Sequence, residues 1–296
     1  MAFSQVTFKS VALMAAALLL ASPVQALPVE SVSRRGTDSK RILLWPYQNT
    51  ADIESGNTAL TSTAKTLADS GSYMYAANWE TWRPEELPTS LSFAPTVATR
   101  EHLDDAHWQQ LESAIQGQTS PVVQFYNEPD INGIDATQAA QDWMDKMVPL
   151  RANNGAKLVG PSCTSDPDSA SWLSTFMGAL DDASKPDYLG VHFYTTDGNP
   201  VDGEISYAKN FLEETHSTYG IPLVVNEISS TSRTQSDVTT FSETMADYMD
   251  NLDWVHAYGF TGVSLQVADS YSSPEAQQLN SDGSMTALGR YMASSQ

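Results

Sequence analysis

Short apolar runs alternate with longer amphipathic ones along most of this chain. The short runs fall at 41–45, 73–79, 91–97, 122–126, 157–161, 188–194, 222–227 and 262–267. They are rich in β-branched and aromatic residues and bounded by turn formers, so each predicts a buried strand. The longer segments 58–69, 102–116, 137–151, 169–180, 205–219 and 235–252 predict helices. In 137–151, for example, Ala139, Ala140, Trp143, Met147 and Leu150 recur at three- and four-residue steps. Thr137 stands there at the position of an N-cap. Eight strands separated by helices, without a long linker, predict an α/β fold of one domain, a single (β/α)8 TIM barrel. A doubly wound open sheet is the rival, but the glycine fingerprints of nucleotide-binding sheets are missing.

The N-terminus departs from this pattern. Lys9 precedes an apolar run at 11–21, and Val24-Gln25-Ala26 offers small residues for cleavage. Residues 1–26 therefore read as a secretory signal peptide, whose apolar run is too short to span a bilayer. Arg34-Arg35 before Gly36 resembles a dibasic processing site, so 27–35 read as a propeptide and 36–296 as the folded domain. The expected product is secreted, extracellular or cell-wall associated.

Composition narrows the partners. The 296 residues carry 36 acidic and 15 basic side chains, a formal net charge of −21. Such a surface repels nucleic acid and anionic membranes, so neither is an expected partner, and a neutral or cationic ligand suits it. The one cysteine, Cys163, allows no intrachain disulfide and reads as a buried structural thiol. The histidines are scattered without metal-ligand spacing, and a monomer is expected.

In a (β/α)8 barrel the chemistry sits where strands end. The fourth run passes from Val122-Val123-Gln124-Phe125-Tyr126 into Asn127-Glu128-Pro129-Asp130. The seventh ends in Asn226-Glu227-Ile228, the sixth in His192-Phe193-Tyr194 and the second in Asn78-Trp79-Glu80. A carboxyl at the rim of a core favours a raised pKa, which a general acid needs. Two glutamates facing each other across a barrel mouth are what hydrolysis of a glycosidic bond requires. One protonates the leaving oxygen and the other acts from the far side of the ring. A separation of about 5 Å makes the second a nucleophile and retains configuration, and a wider gap admits water and inverts it. His192 and Tyr194, two residues apart on a strand, share a face. Trp45, Tyr47, Trp79, Trp82, Phe125, Tyr126 and Tyr271 are candidates for stacking on sugar rings. Asp130, Asp197 and Glu80 are polar candidates for sugar hydroxyls.

These residues carry a resemblance. The chain resembles the clan of retaining glycosidases marked by Asn-Glu-Pro on the fourth strand and a nucleophilic Glu on the seventh. More closely it is similar to glycoside hydrolase family 128, β-1,3-glucanases that include fungal alkali-sensitive-linkage-like proteins. The likeness runs from about Leu44 to Tyr291. It takes in Asn78-Trp79, Phe93-Ala94-Pro95, Phe125 through Asp130, Trp143, Gly160-Pro161-Ser162, Trp172-Leu173, Val191-His192-Phe193-Tyr194, and Asp282-Gly283-Ser284 through Leu288-Gly289. It implies Glu128 as acid/base, Glu227 as nucleophile, Asn127 beside the scissile bond and Tyr194 holding the nucleophile. His192, Asn78, Trp79, Tyr126 and Asp130 complete the expected substrate site. No cofactor is expected, and the substrate would be β-1,3-glucan or laminari-oligosaccharides. A cell-wall glucan-binding protein with weakened catalysis, or the same mechanism on a β-1,4-linked glycan, are the alternatives. The chain departs from the family at Phe193, where a Trp is usual, and at Asn226-Glu227-Ile228, where Thr-Glu-Phe is usual. In the predicted eighth strand, Val263-Ser264-Leu265-Gln266-Val267 replaces a run that often delivers a Trp platform.

Overall fold

The computed structural model describes residues 39–267 and 270–294; the expected leader, the segment 27–35 and the dibasic site lie outside them. Nine strands are seen among the described residues. They are β1 (Ile42–Leu44), β2 (Tyr75–Ala77), β3 (Phe93–Ala94), β4 (Thr96–Val97), β5 (Val122–Asn127), β6 (Lys157–Ser162), β7 (Leu189–Tyr194), β8 (Leu223–Ser229) and β9 (Val255–Phe260). They form three parallel sheets, β1-β2-β3, β4-β5-β6 and β7-β8-β9. Parallel bridges Val159↔Tyr188 and Cys163↔Val191 join β6 to β7, and Arg41↔Tyr258 joins the start of β1 to β9.

The predicted third strand is split. Pro95 has no N–H to give a ladder, so Phe93-Ala94 pairs with β2 and Thr96-Val97 pairs with β5. The two halves are successive pieces of one crossing, which is why the strand carrying Glu128 becomes β5 here.

The helices are α1 (Tyr47–Glu54), α2 (Ala59–Asp69), α3 (Asp105–Ile115), α4 (Ala136–Asp142), α5 (Pro149–Asn154), α6 (Ser169–Gly178), α7 (Val201–Tyr219), α8 (Gln235–Asp250) and α9 (Ala287–Met292). None is long and apolar enough to cross a membrane. α1 and α9 escape the hydrophobic pattern because they are short, and α1 buries only Asn49. The predicted helix 137–151 is broken. A π-helical turn, Trp143–Met147, separates α4 from α5, with the Val148 N–H bonded to the Trp143 carbonyl at 3.0 Å. Pro149 has no N–H to continue an α-helical ladder, and the wider turn absorbs that gap. The cap is Asp135, whose carboxylate accepts the Gln138 N–H at 2.9 Å, rather than Thr137.

A second expectation fails at the eighth strand. The segment 262–267 is irregular, and β9 lies just before it, paired with β8 through Val255, Ala257 and Tyr258. Gly262 turns the chain out of the sheet at φ +103°, with the Ala276 carbonyl 2.4 Å from where a Cβ would stand. Alternation in Val263-Ser264-Leu265 imitates a strand, but these residues belong to no sheet ladder.

Alternation elsewhere sorts side chains into two layers. Ile42, Leu44, Tyr75, Ala77, Ala94, Val159, Val224 and Ala257, drawn from all three sheets, pack on one another in a common interior. Residues of the other parity, such as Val123, Leu158, Phe193 and Val225, pack outward with Trp143, Phe176 and Phe241 of the helical layer. At Gly190 the chain of β7 runs close against β6. A Cβ there would lie 2.2 Å from Ser162 Oγ and 2.8 Å from the Gly160 carbonyl oxygen. The serine can rotate but the carbonyl cannot, so Gly190→Ala is expected to cost about 1–3 kcal/mol. Urea denaturation of the two proteins measures it.

Candidate active site

The end of β5 is built on a bulge. Register against β6 shifts between Gln124 and Phe125 and again between Phe125 and Asn127. Tyr126 and Glu128 take φ of 24° and 45°, conformations that side-chain-bearing residues rarely adopt. Each costs on the order of 1–3 kcal/mol and persists only where surrounding bonds enforce it. They do so here. The Glu128 N–H donates to the Ser162 carbonyl at 2.8 Å, and the Glu128 carbonyl accepts from Asn132 at 3.0 Å.

The bulge puts Phe125 and Tyr126 on one side of the strand, their rings stacked with centroids 3.8 Å apart. The Tyr126 hydroxyl donates to Asp142 Oδ2 at 2.6 Å, and Asp142 also accepts from Arg100 Nε at 2.9 Å. Tyr126 is 0% exposed. Its expected role in substrate contact is therefore corrected: it anchors the bulge that aims Glu128. Strict two-residue alternation would have pointed Tyr126 into the site, and the extra residue reverses it.

Across the sheet boundary, β7 and β8 pair in a register that sets His192 opposite Glu227. His192 is fully buried, with Nδ1 3.0 Å from Glu128 Oε1 and Nε2 3.5 Å from Glu227 Oε1. The imidazole thus stands between the two carboxylates. Burial alone would pull its pKa down, but the Glu227 charge and the hydrogen bond to Glu128 outweigh burial and raise it. Tyr194, on the same face as expected, donates its hydroxyl to Glu227 Oε2 at 2.6 Å. Burial first, and then the Glu227 charge, push the Tyr194 phenol well above its ordinary pKa, so it stays a donor. The Trp79 indole N–H donates to Glu227 Oε1.

One oxygen of each glutamate and one ring nitrogen of His192 lie within 4.8 Å of one another. Glu227 is nearly buried, its side chain 9% exposed, and Glu128 opens further to solvent at 22%. A divalent cation also wants carboxylates and imidazole this close. Both Glu227 oxygens, however, already face an N–H or O–H hydrogen, which suits an anion better than a cation's ligand.

Other expected residues divide. Asn127 stands half-buried at the rim, its N–H bonded to the Ala98 carbonyl at 3.0 Å. Asn78 does not line the site. It is buried, its side-chain oxygen accepts the Glu80 N–H at 3.0 Å, and its amide faces the Trp82 carbonyl at 3.4 Å. The residue closes the turn that presents Trp79, so its role is corrected from binding to positioning. Asp130 is spent locally, accepting the Thr164 hydroxyl at 2.6 Å and so tying the β5 loop to the β6 loop. Glu80 faces His102 at 3.8 Å, and Asp197 accepts the Arg233 N–H at 3.3 Å. Trp45 and Phe125 are core residues. Tyr47 and Tyr271 are exposed, and the Tyr271 ring lies 5.7 Å from that of Tyr194.

A buried polar chain escaped the sequence reading. Asn226 donates to Gln124 at 2.8 Å, Gln124 to the Thr96 hydroxyl at 3.3 Å, and Thr96 to the Asn78 carbonyl at 2.6 Å. It links β8, β5 and β4 to the residue after β2, and its Asn226 directly precedes Glu227 in the chain. Its only sequence signal is a polar residue at an inward position of an otherwise apolar strand.

The sequence matches the glycosyl hydrolase catalytic core family over residues 53–292. Among solved structures, the subgroup VI exo-β-1,3-glucanase of Aureobasidium namibiae, a glycoside hydrolase family 128 protein, is 35% identical with a TM-score of 0.76. That match covers 88% of this chain and 98% of the other. The subgroup IV endo-β-1,3-glucanase of Lentinula edodes, at 24% identity and TM-score 0.66, covers 86% and 98% respectively. A subgroup VII oligosaccharide-binding protein of Cryptococcus neoformans, at 18% and 0.61, covers 86% and 92%. The last two likenesses speak to fold alone. No curated protein matches the chain. With both strand-end glutamates inside the matched region and 35% identity over most of its length, the chain belongs to the glycosyl hydrolase catalytic core family and, within it, to glycoside hydrolase family 128.

Proposed function

We propose that this protein is a secreted retaining glycosidase that hydrolyses β-1,3-glucan, with Glu128 as acid/base and Glu227 as nucleophile. The observation that carries the reading is the approach of the two carboxylates to within 4.8 Å with His192 between them. Retaining glycosidases hold theirs about 5–5.5 Å apart, too close for an intervening water. The frame we propose is a closed (β/α)8 barrel, with β3 and β4 counted as one strand. The bridges from β6 to β7 and from β9 to β1, and the interior shared by all three sheets, support closure.

In the first step Glu128 gives its proton to the departing glycosidic oxygen while Glu227 attacks the anomeric carbon. Trp79 and Tyr194 hold Glu227 by one hydrogen bond to each oxygen, fixing the attacking atom's direction. In the second step Glu128, now a carboxylate, takes a proton from water, and the water's oxygen displaces Glu227. His192 meets both charges at once. Its proton is shared with Glu128 across 3.0 Å, so the pair exchanges one proton as Glu128 alternates between its two forms.

Tyr271 supplies the aromatic platform in this reading. It is 57% exposed beside Tyr194, on a loop that Arg233 pins by donating to the Ser272 and Ser270 carbonyls, each at 2.6 Å. Tyr271→Ala is expected to raise KM for β-1,3-gluco-oligosaccharides about fivefold to tenfold, with kcat little changed. Tyr271→Phe keeps the ring and stays near wild type, and steady-state kinetics on both variants check this.

The reading is tested on a panel of β-1,3-, β-1,4- and β-1,6-glucans, with product anomers followed by proton NMR. Cleavage of the β-1,3 polymer with β-anomers appearing first is expected. Initial α-anomers, or binding without any product, would remove the proposed activity.

A further inference from the structure

At the opposite ends of the strands, away from both glutamates, lies a cavity of about 330 Å³. Tyr75, Phe93 and Val122 line it at the starts of their strands, together with Tyr188 and His256. Six residue steps along the chain carry Val122 to Glu128, about 20 Å at 3.3 Å per residue. The cavity is no extension of the catalytic cleft.

Its chemistry is specific. Tyr75 is 3% exposed, and its hydroxyl has no hydrogen-bond partner. A buried unpaired hydroxyl is costly, and the residue that carries it lines the cavity. Next to it, the rings of Tyr188 and His256 stack at 3.9 Å and 10°, both half-buried, giving a broad flat face. No unpaired charge looks in. Lys157 is bound to Asp187 at 3.1 Å, and burial, then Lys40, lower the His256 pKa and keep that ring neutral. Ser92 and Thr119 place exposed hydroxyls at the rim.

A flat apolar wall, a deep unsatisfied hydroxyl and a neutral polar rim describe a receptor for an uncharged ring that carries hydroxyls. An aliphatic or plain aromatic ligand would cover the wall but leave Tyr75 unpaired, and an ion would find no countercharge. A pyranose satisfies both features, with its C–H face on the stacked rings and a hydroxyl against Tyr75. At 330 Å³ the space lies at the small end of ligand pockets. We infer that the cavity at the strand starts is a second, non-catalytic binding site for a neutral hexopyranose. Resting on the proposed glucan hydrolase reading, its ligand is a glucosyl residue of the polymer, anchored while another stretch is cut.

The experiment uses the full chain carrying Glu128→Gln, so that the probe survives, titrated with laminaribiose by isothermal calorimetry. Two sites per chain are expected. Adding Tyr75→Phe weakens one about tenfold, the worth of one hydrogen bond to a buried hydroxyl, and Tyr188→Ala abolishes it. The other site is unchanged by either substitution. Tyr75→Phe removes an unpaired group, so its melting temperature without sugar equals or exceeds the parent's, which separates lost binding from lost folding. In the active protein Tyr188→Ala slows insoluble β-1,3-glucan several-fold and leaves short soluble oligosaccharides alone. One site in the parent, or two that survive both substitutions, overturns the proposal. Two sites that respond as described in a chain that hydrolyses no β-glucan would uphold the cavity and remove the glucanase reading instead.

Discussion

Glu227→Ala lowers turnover of β-1,3-glucan by at least about 10³-fold, because no other group can form the covalent bond that splits the reaction into two steps. Glu128→Gln is expected to lose a comparable factor by a different route, and the two are separable. A substrate with a good leaving group needs no proton donor, so it restores the first step in the Glu128 variant and not in the Glu227 variant. Azide distinguishes them again. Entering the space left by Glu227, it attacks from that residue's own side and gives the α-glycosyl azide. With Glu227 intact and Glu128 replaced, it attacks the covalent intermediate from the other side and gives the β-azide. Removing the Glu227 carboxylate strips partners from Trp79, Tyr194 and His192, but it also removes a nearly buried charge. Far-ultraviolet circular dichroism should therefore match the parent. Turnover near the wild-type rate in either variant would sink the assignment.

The pair of glutamates was legible because each closes an apolar run at a polar, turn-forming cluster, which on parallel strands brings both to one end. His192 and Tyr194 were legible for a similar reason, since the parity of a regular strand survives from sequence to structure. Where the strand is irregular the reading broke. Tyr126 was misplaced by a bulge whose partner, the Asp142 carboxylate on α4, lies 16 residues away and leaves no local mark. The eighth strand was misplaced because 255–260 and 262–267 both carry strand-like residues. Only pairing with β8 and the conformation of Gly262 choose between them. The correction also changes a chemical comparison. The Val263–Val267 run is a loop that follows β9, so a Trp missing from it says little about what the strand end itself presents. Asn78 was expected in the substrate site through the family resemblance, and only the fold reveals that its side chain is used up in forming the turn.

His192→Gln is expected to lower kcat about tenfold to a hundredfold, the worth of one hydrogen bond to a charged group. A fixed amide can still touch Glu128, but it cannot trade a proton with it. The same substitution changes how stability depends on pH, and the sign follows from the pKa. Burial opposes the charged ring, but Glu227 and Glu128 prevail, so the folded pKa lies above the ordinary histidine value of about 6.5. A raised folded pKa adds stability that is fully present below about pH 6.5 and is lost as pH rises through the higher folded value. The melting temperature of the wild type should therefore exceed that of His192→Gln most at pH 5–6, and the gap should narrow toward pH 9. On the activity side, the alkaline limb of kcat/KM should move in the variant, because the proton shared across Nδ1 and Oε1 is gone. Packing alone predicts something else: melting temperatures that run parallel from pH 5 to 9 and an unmoved alkaline limb. Those two measurements decide whether the imidazole serves the carboxylates through its proton or merely fills the space between them.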